Sequence, residues 1–333
     1  HLERCLSDGT AGFVILFPKT CRFRFCEIER VLERIRRYRP VILVDIAELD
    51  IKSDMPDLVD VARRFPDLNF IIKQVMWGQF SIVFDAMTRA KNIYLDTSWL
   101  HTRDAIKIIR DNIGKERLVF GLGPKAHSGA AIASLAYAKI EQTERNEIAY
   151  DNLISLISNP VVRQRALDGR KRIENHVGNR FWNDFINGMG VRDTLVIDAH
   201  THIGPFARGW YLVENEIDKQ IETLEEDMRQ FGIAKIISTP ETALFSEPIE
   251  GNRMVERAVK GRESRFRGYL VCNPHYSAKY TKDTLDSFFK GNYFTGFKIV
   301  PEYLGVDIGS DQFKPAFEYA DEHRFPILIH TWE

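Results

Sequence analysis

The chain has 333 residues, with 46 Lys and Arg against 47 Asp and Glu, 44% hydrophobic residues and 28% charged ones. This composition excludes a disordered or fibrous chain, and a formal net charge of -1 gives no general attraction for nucleic acid or an anionic membrane. The length suits about two domains of ~150 residues or one large α/β barrel.

In chain order, short apolar runs alternate with amphipathic segments. One group of runs falls at residues 12–17, 41–44, 69–72, 92–95 and 118–120; a second falls at 195–197, 234–237, 269–271, 296–300 and 326–329. Most are rich in Val, Ile, Leu and Phe with little alternation, which predicts strands buried on both faces of a parallel sheet. Helical periods lie between them, such as Ile28, Val31, Leu32 and Ile35, or Ile217, Ile221, Leu224 and Met228. The βαβα order predicts the α/β class. From about residue 129 to 187 no strand-like run occurs and several consecutive helices are expected. Gly188-Met189-Gly190 then breaks the pattern, so the expected domains are 1–190 and 191–333.

No apolar run approaches the ~20 residues of a membrane helix, and the opening His1-Leu2-Glu3-Arg4 is not a signal peptide. Cys5, Cys21, Cys26 and Cys272 lack paired CxxC spacing, as expected of reduced thiols in a soluble cytoplasmic protein. The first residue is not Met and the last three are Thr331-Trp332-Glu333, which suggests a fragment, a processed product or a trimmed form. The halves also share a repeat: Gly12-Phe13-Val14-Ile15 followed by Pro40-Val41-Ile42-Leu43-Val44-Asp45 parallels Gly296-Phe297-Lys298-Ile299 followed by Pro326-Ile327-Leu328-Ile329-His330.

The strongest chemical signal is Val196-Ile197-Asp198-Ala199-His200-Thr201-His202-Ile203-Gly204-Pro205. Residues two apart on a strand point the same way, so His200 and His202 can present two imidazoles at the C-terminal end of a barrel strand. Neutral imidazole is a favoured ligand for zinc and other divalent metals. His330 closes another apolar run and is a candidate third ligand. Lys298 would be a charge inside a buried strand unless it faces the barrel mouth, where it could hold an anionic substrate or a metal-bridging group; otherwise it snorkels to solvent.

Taken together, Asp198-Ala199-His200-Thr201-His202, Gly296-Phe297-Lys298 and Ile327-Leu328-Ile329-His330 resemble strands one, four and five of the amidohydrolase superfamily, in its amidohydrolase-2 branch of metal-dependent hydrolases and decarboxylases. Arg63-Arg64-Phe65-Pro66-Asp67-Leu68-Asn69-Phe70, Asn92-Ile93-Tyr94-Leu95-Asp96-Thr97-Ser98 and Arg117-Leu118-Val119-Phe120-Gly121 are similar to that family's strands six, seven and eight with their lead-ins. The resemblance implies a TIM-barrel-like (β/α)8 pattern in displaced order: strands four to eight first, in 1–190, then strands one to five, in 191–333. Two architectures are compatible with it, two partial barrels or one permuted barrel, and ten strands favour the first.

The resemblance also implies losses in the first half. Asp45 stands where strand five carries a metal-binding His, Gln74 where strand six ends in a catalytic His, and Gly123 where strand eight carries an essential Asp. The implied activity is hydrolysis of a small anionic or carbonyl-bearing substrate by metal-activated water, with His200, His202 and His330 as ligands and a divalent metal, zinc first, as cofactor. The alternatives are a non-oxidative decarboxylase of the same family or an inactive barrel kept as a scaffold. Asp96 is the candidate catalytic carboxylate and Lys298 the candidate substrate-binding residue, while Asp96 also suits the N-cap of a following helix. His127 lies in a loop after the last strand of the first half, and Arg34, Arg36, Arg37 and Arg39 read as a solvated helix face. The partner expected is a small molecule, with no nucleic acid and no membrane; a homo-oligomer is left open.

Overall fold

Runs of Val, Ile and Leu without alternation have no polar face to offer water, so they form strands covered on both sides. A computed structural model describes residues 1–124, 127–170, 180–205 and 216–331. All ten expected runs are strands there: β1 (Phe13–Leu16), β2 (Val41–Asp45), β3 (Asn69–Lys73), β4 (Ile93–Asp96), β5 (Leu118–Val119), β6 (Val196–Ile203), β7 (Ile233–Pro240), β8 (Phe266–Val271), β9 (Phe294–Ile299) and β10 (Ile327–Ile329). Every pairing is parallel, and the strands form two five-stranded sheets, β1-β2-β3-β4-β5 and β10-β9-β8-β7-β6. A single permuted barrel would need its strands in one closed ring. The described strands instead make two open sheets, the partial-barrel form.

Contacts divide the chain into His1–Gly188 and Met189–Glu333. In the first unit the Ile51–Arg64 helix turns Met55, Leu58, Val59, Val61 and Ala62 inward, at helical spacing, onto a core that includes Phe70 and Ile72 of β3. Polar side chains fasten the strand entrances. The Asn92 amide nitrogen reaches the carbonyls of Ala62, Phe65 and Leu68, and Asn152 donates to those of Lys115 and Leu118. Arg117, just before β5, is buried and donates to the carbonyls of Met87, Ala90 and Ile93. The stretch expected to be helical contains Ser128–Ala136, Gln142–Asn146, Asn152–Leu156, Pro160–Arg170 and Arg180–Ile186. Its residues 171–179, like Trp332 and Glu333, lie outside the described residues.

In the second unit Asn252 performs a similar task for β8. It is fully buried on the Pro248–Val259 helix, donating from Nδ2 to Val271 O at 2.9 Å and accepting from Val271 N at 2.9 Å. Asn252→Ala should leave the Val271 N–H without its partner, whereas Val271 O keeps the Tyr280 hydroxyl at 2.9 Å. The expected loss is about 1–3 kcal/mol, seen as a lower urea midpoint at unchanged slope; an unchanged midpoint would contradict the assignment.

Both ends of the second sheet's order are edge strands, β6 and β10. Among the described residues, no helix is long and apolar enough to cross a membrane. All four cysteines are free thiols.

Candidate functional site

The C-terminal ends of parallel strands are where barrel folds collect chemistry. Strand β6 runs beyond its apolar start into Thr201, His202 and Ile203, which pair with Ser238, Thr239 and Pro240 of β7. Between Asp198 and Thr201 the register shifts, and the His200 N–H donates to Asp198 Oδ1 at 3.0 Å within that irregularity. The His200 and His202 rings lie 5.1 Å apart. Glu241, the residue after β7, brings Oε1 to 2.8 Å from His202 Nδ1, with its side chain only 2% exposed against 20% for His202.

From the next strands come a cation and a third imidazole. Lys298, on β9 between Val271 and Leu328, is 1% exposed, and its Nζ has no hydrogen-bond partner among the described residues. Burial pulls the Lys298 amine down to about 8, against the opposing pull of Glu241. His330 follows β10, its N–H donating to Ile299 O at 3.0 Å, and its ring stacks on Tyr303 with centroids 4.5 Å apart. It also lines an open cavity of about 470 Å³ with Pro301, Glu302, Val306, Asp307 and Ile329.

Electrostatics joins these parts. His200 is pushed down to about 4, first by burial and then by the positive fields of Lys298, His202 and His330, with Asp198 opposing. Residues from β6, β9 and β10 therefore lie within electrostatic reach of one imidazole although β6 and β10 are opposite edges. Neutral at pH 7, His200 keeps a lone pair for coordination.

The donor chemistry fits a divalent cation. Two imidazoles stand side by side, and a buried carboxylate lies 2.8 Å from Nδ1 of His202, so Nε2 is the nitrogen left open to a cation. Among the described residues, no three His, Cys, Asp or Glu side chains are gathered tightly enough to enclose an ion. His200 and His202 are adjacent, and His330 contributes to the field at His200.

Asp96 belongs to the first unit, at the end of β4. Its Oδ1 accepts the Ser98 N–H at 2.8 Å, and burial raises its pKa against that bond and the nearby Lys73. A Cβ at Gly121 would stand on Asp96 Oδ2, and Gly123 has φ +64° beside Ser98 and Trp99. Both glycines suit a mouth that Asp96 and its neighbours fill. Asp45 Oδ2 pairs with Lys73 Nζ at 3.0 Å and accepts the Gln74 amide, while Oδ1 accepts Ala47 N–H at 2.9 Å. Gln74 adopts φ 62° there, an unusual conformation for a residue with a side chain. The His127 ring lies 3.8 Å from Trp99, tilted by 36°, and His101 stacks on the same ring at 5.7 Å.

Glu241, Trp99 and His101 are absent from the sequence-based site set. Glu241 gave no sequence signal: the predicted run ends at residue 237, and only the observed extension of β7 to Pro240 brings Glu241 to a strand end.

Comparison with known proteins gives a family match in the first unit. The Amidohydrolase family model matches residues 27–152, which include Asp45 and Asp96 but not the His200–His202 pair. Among solved structures, 4-oxalomesaconate hydratase from Rhodopseudomonas palustris is similar at 15% identity with a TM-score of 0.37, over 52% of this chain and 64% of that one. The chain thus spans less than two thirds of that structure's length. No curated protein matches.

Proposed function

From the match of residues 27–152 to the Amidohydrolase family model, we propose that this chain is a metal-dependent hydrolase of the amidohydrolase superfamily, acting on a small anionic or carbonyl-bearing substrate. The observation that carries this is the adjacent imidazoles of His200 and His202, His200 neutral at pH 7, with Glu241 beside His202 and the buried Lys298 amine within electrostatic reach of His200. His200 and His202 would hold the cation, with His330 as the third ligand, and zinc is the first candidate. A divalent metal bound there supplies a water acidified toward pH ~7.

The residues of the chain do the rest. The amine of Lys298, charged below about 8, binds the substrate's carboxylate or polarised carbonyl and orients it toward the imidazole pair. The open cavity beside His330 admits the remainder of the substrate. Decarboxylation is the neighbouring reading, favoured by the same buried cation, since Lys298 would fix the carboxylate that leaves. In the first unit, Asp45, Lys73 and Gln74 are occupied with one another, which supports a scaffolding role for that mouth. Asp96 is the one carboxylate there that we keep as a catalytic candidate. Free thiols throughout support a cytoplasmic location.

Small amides, lactones and carboxylates, assayed separately for hydrolysis and CO2 release, test the proposal. Turnover should vanish after chelation and return with Zn²⁺ or Mn²⁺; turnover untouched by chelation would overturn it. Lys298→Met should raise KM about 10–100-fold with a smaller change in kcat. Because the charged amine is the binding form, affinity for an anionic substrate should fall as pH rises through about 8, and the variant should lose that limb. A KM independent of both pH and Lys298 would remove the residue from substrate binding.

A further inference from the structure

We infer that Glu241 is a positioning residue that fixes the His202 ring for a cation, an inference that rests on the site reading given above. Three observations converge on it. The pairing of His202 with Thr239 sets the end of β6 beside the end of β7, so the residue after Pro240 emerges next to the imidazole. The carboxylate is 2% exposed, with Oε1 2.8 Å from His202 Nδ1, a close contact that lies outside hydrogen-bond geometry and that a small turn of the ring would align; an acid so buried is retained only with charged or hydrogen-bonding partners. The Glu241–Phe245 helix is also held at close range by the Pro248–Val259 helix, where a Cβ at Gly251 would lie 2.3 Å from Ala243 N. Backbone contact at Gly251 thus places Glu241 without relying on a flexible side chain.

A carboxylate at Nδ1 favours the tautomer with its proton on Nδ1 and the lone pair on Nε2. Glu241 also attracts Lys298, so a purely electrostatic role is the competing explanation. Glu241→Gln keeps an acceptor for the ring N–H and removes the charge; Glu241→Ala removes both. Co²⁺ titration of the chain, read by visible absorption, should show about 10–100-fold weaker binding for Glu241→Ala and near-native binding for Glu241→Gln. Ring-nitrogen NMR of the cation-free protein should show His202 protonated on Nδ1, with that preference lost in Glu241→Ala and kept in Glu241→Gln.

Equal weakening by both substitutions, unweakened binding in Glu241→Ala, or a native His202 protonated on Nε2 would each overturn the inference. Should the native protein take up no Co²⁺, the site reading fails, and the tautomer alone then decides whether Glu241 holds the ring. Unfolding curves matching the native protein's establish that the variants are folded.

Discussion

Arg117→Met should lower the stability of the first unit by about 2–4 kcal/mol. The guanidinium is 7% exposed and its nitrogens donate to the carbonyls of Ile93, Ala90 and Met87, with the Tyr94 ring 5.2 Å from its charge centre. Two of those carbonyls, from Met87 and Ala90, lie at the end of the Phe80–Arg89 helix, where backbone acceptors have no partners within the helix. A methionine fills similar space but offers no donor, so the Met87 and Ile93 carbonyls lose these bonds, while Ala90 O keeps the Ile93 N–H at 3.4 Å. Removing the charge relieves some desolvation, since burial already lowers the arginine's pKa, and that relief keeps the net loss below the sum of the broken bonds.

Arg117→Lys should recover only part of the loss, because a single ammonium cannot reproduce the planar fork. Calorimetry should show the first unit's transition falling by roughly 5–15 °C for Met. Hydrogen exchange should rise first at β4 and β5. An unchanged transition would mean that these contacts contribute nothing net.

The central strands were legible because strands covered on both faces leave an uninterrupted apolar run; the edge strands β1, β6 and β10 carry similar runs but are only partly covered, with Ile15 and Ile197 exposed. β6 was legible only in part. Its run ends at Ile197, and the strand continues through six polar, small or apolar residues to Ile203 on pairing with β7; the His200-Thr201-His202 spacing, not hydropathy, marked that half. Whether ten strands close into one ring or stay as two sheets depends on pairings between distant segments, which local pattern does not encode.

The site divides the same way. His200, His202, Lys298 and His330 all announced themselves at strand ends, while Glu241 did not, because its meaning depends on the β6–β7 register and on a helix contact at Gly251. Arg117 and Asn252 escaped for the same reason: each is one polar residue whose partners lie about twenty or more positions away. The first unit shows the converse. Asp45, Gln74 and Gly123 stood out by differing from the resembled family, and the structure gives each an employment: an ion pair with Lys73, a hydrogen bond donated by the side-chain amide to Asp45, and a left-handed turn beside Trp99.

The largest functional effect is expected from His200 and His202 together. Their rings are adjacent, His200 is neutral at pH 7 because burial and neighbouring positive groups hold it near 4, and His202 is oriented by Glu241. Alanine at both positions leaves His330 as the only imidazole of the set, and one ligand cannot hold a divalent ion against water. His330→Ala alone should weaken the site while leaving the adjacent pair.

Metal analysis of the purified chain beside its His200→Ala, His202→Ala double variant is therefore the most direct measurement. The account predicts about one zinc, manganese or iron per native chain and almost none in the folded double variant. Metal far below stoichiometric in the native chain, or equal in both proteins, would contradict it.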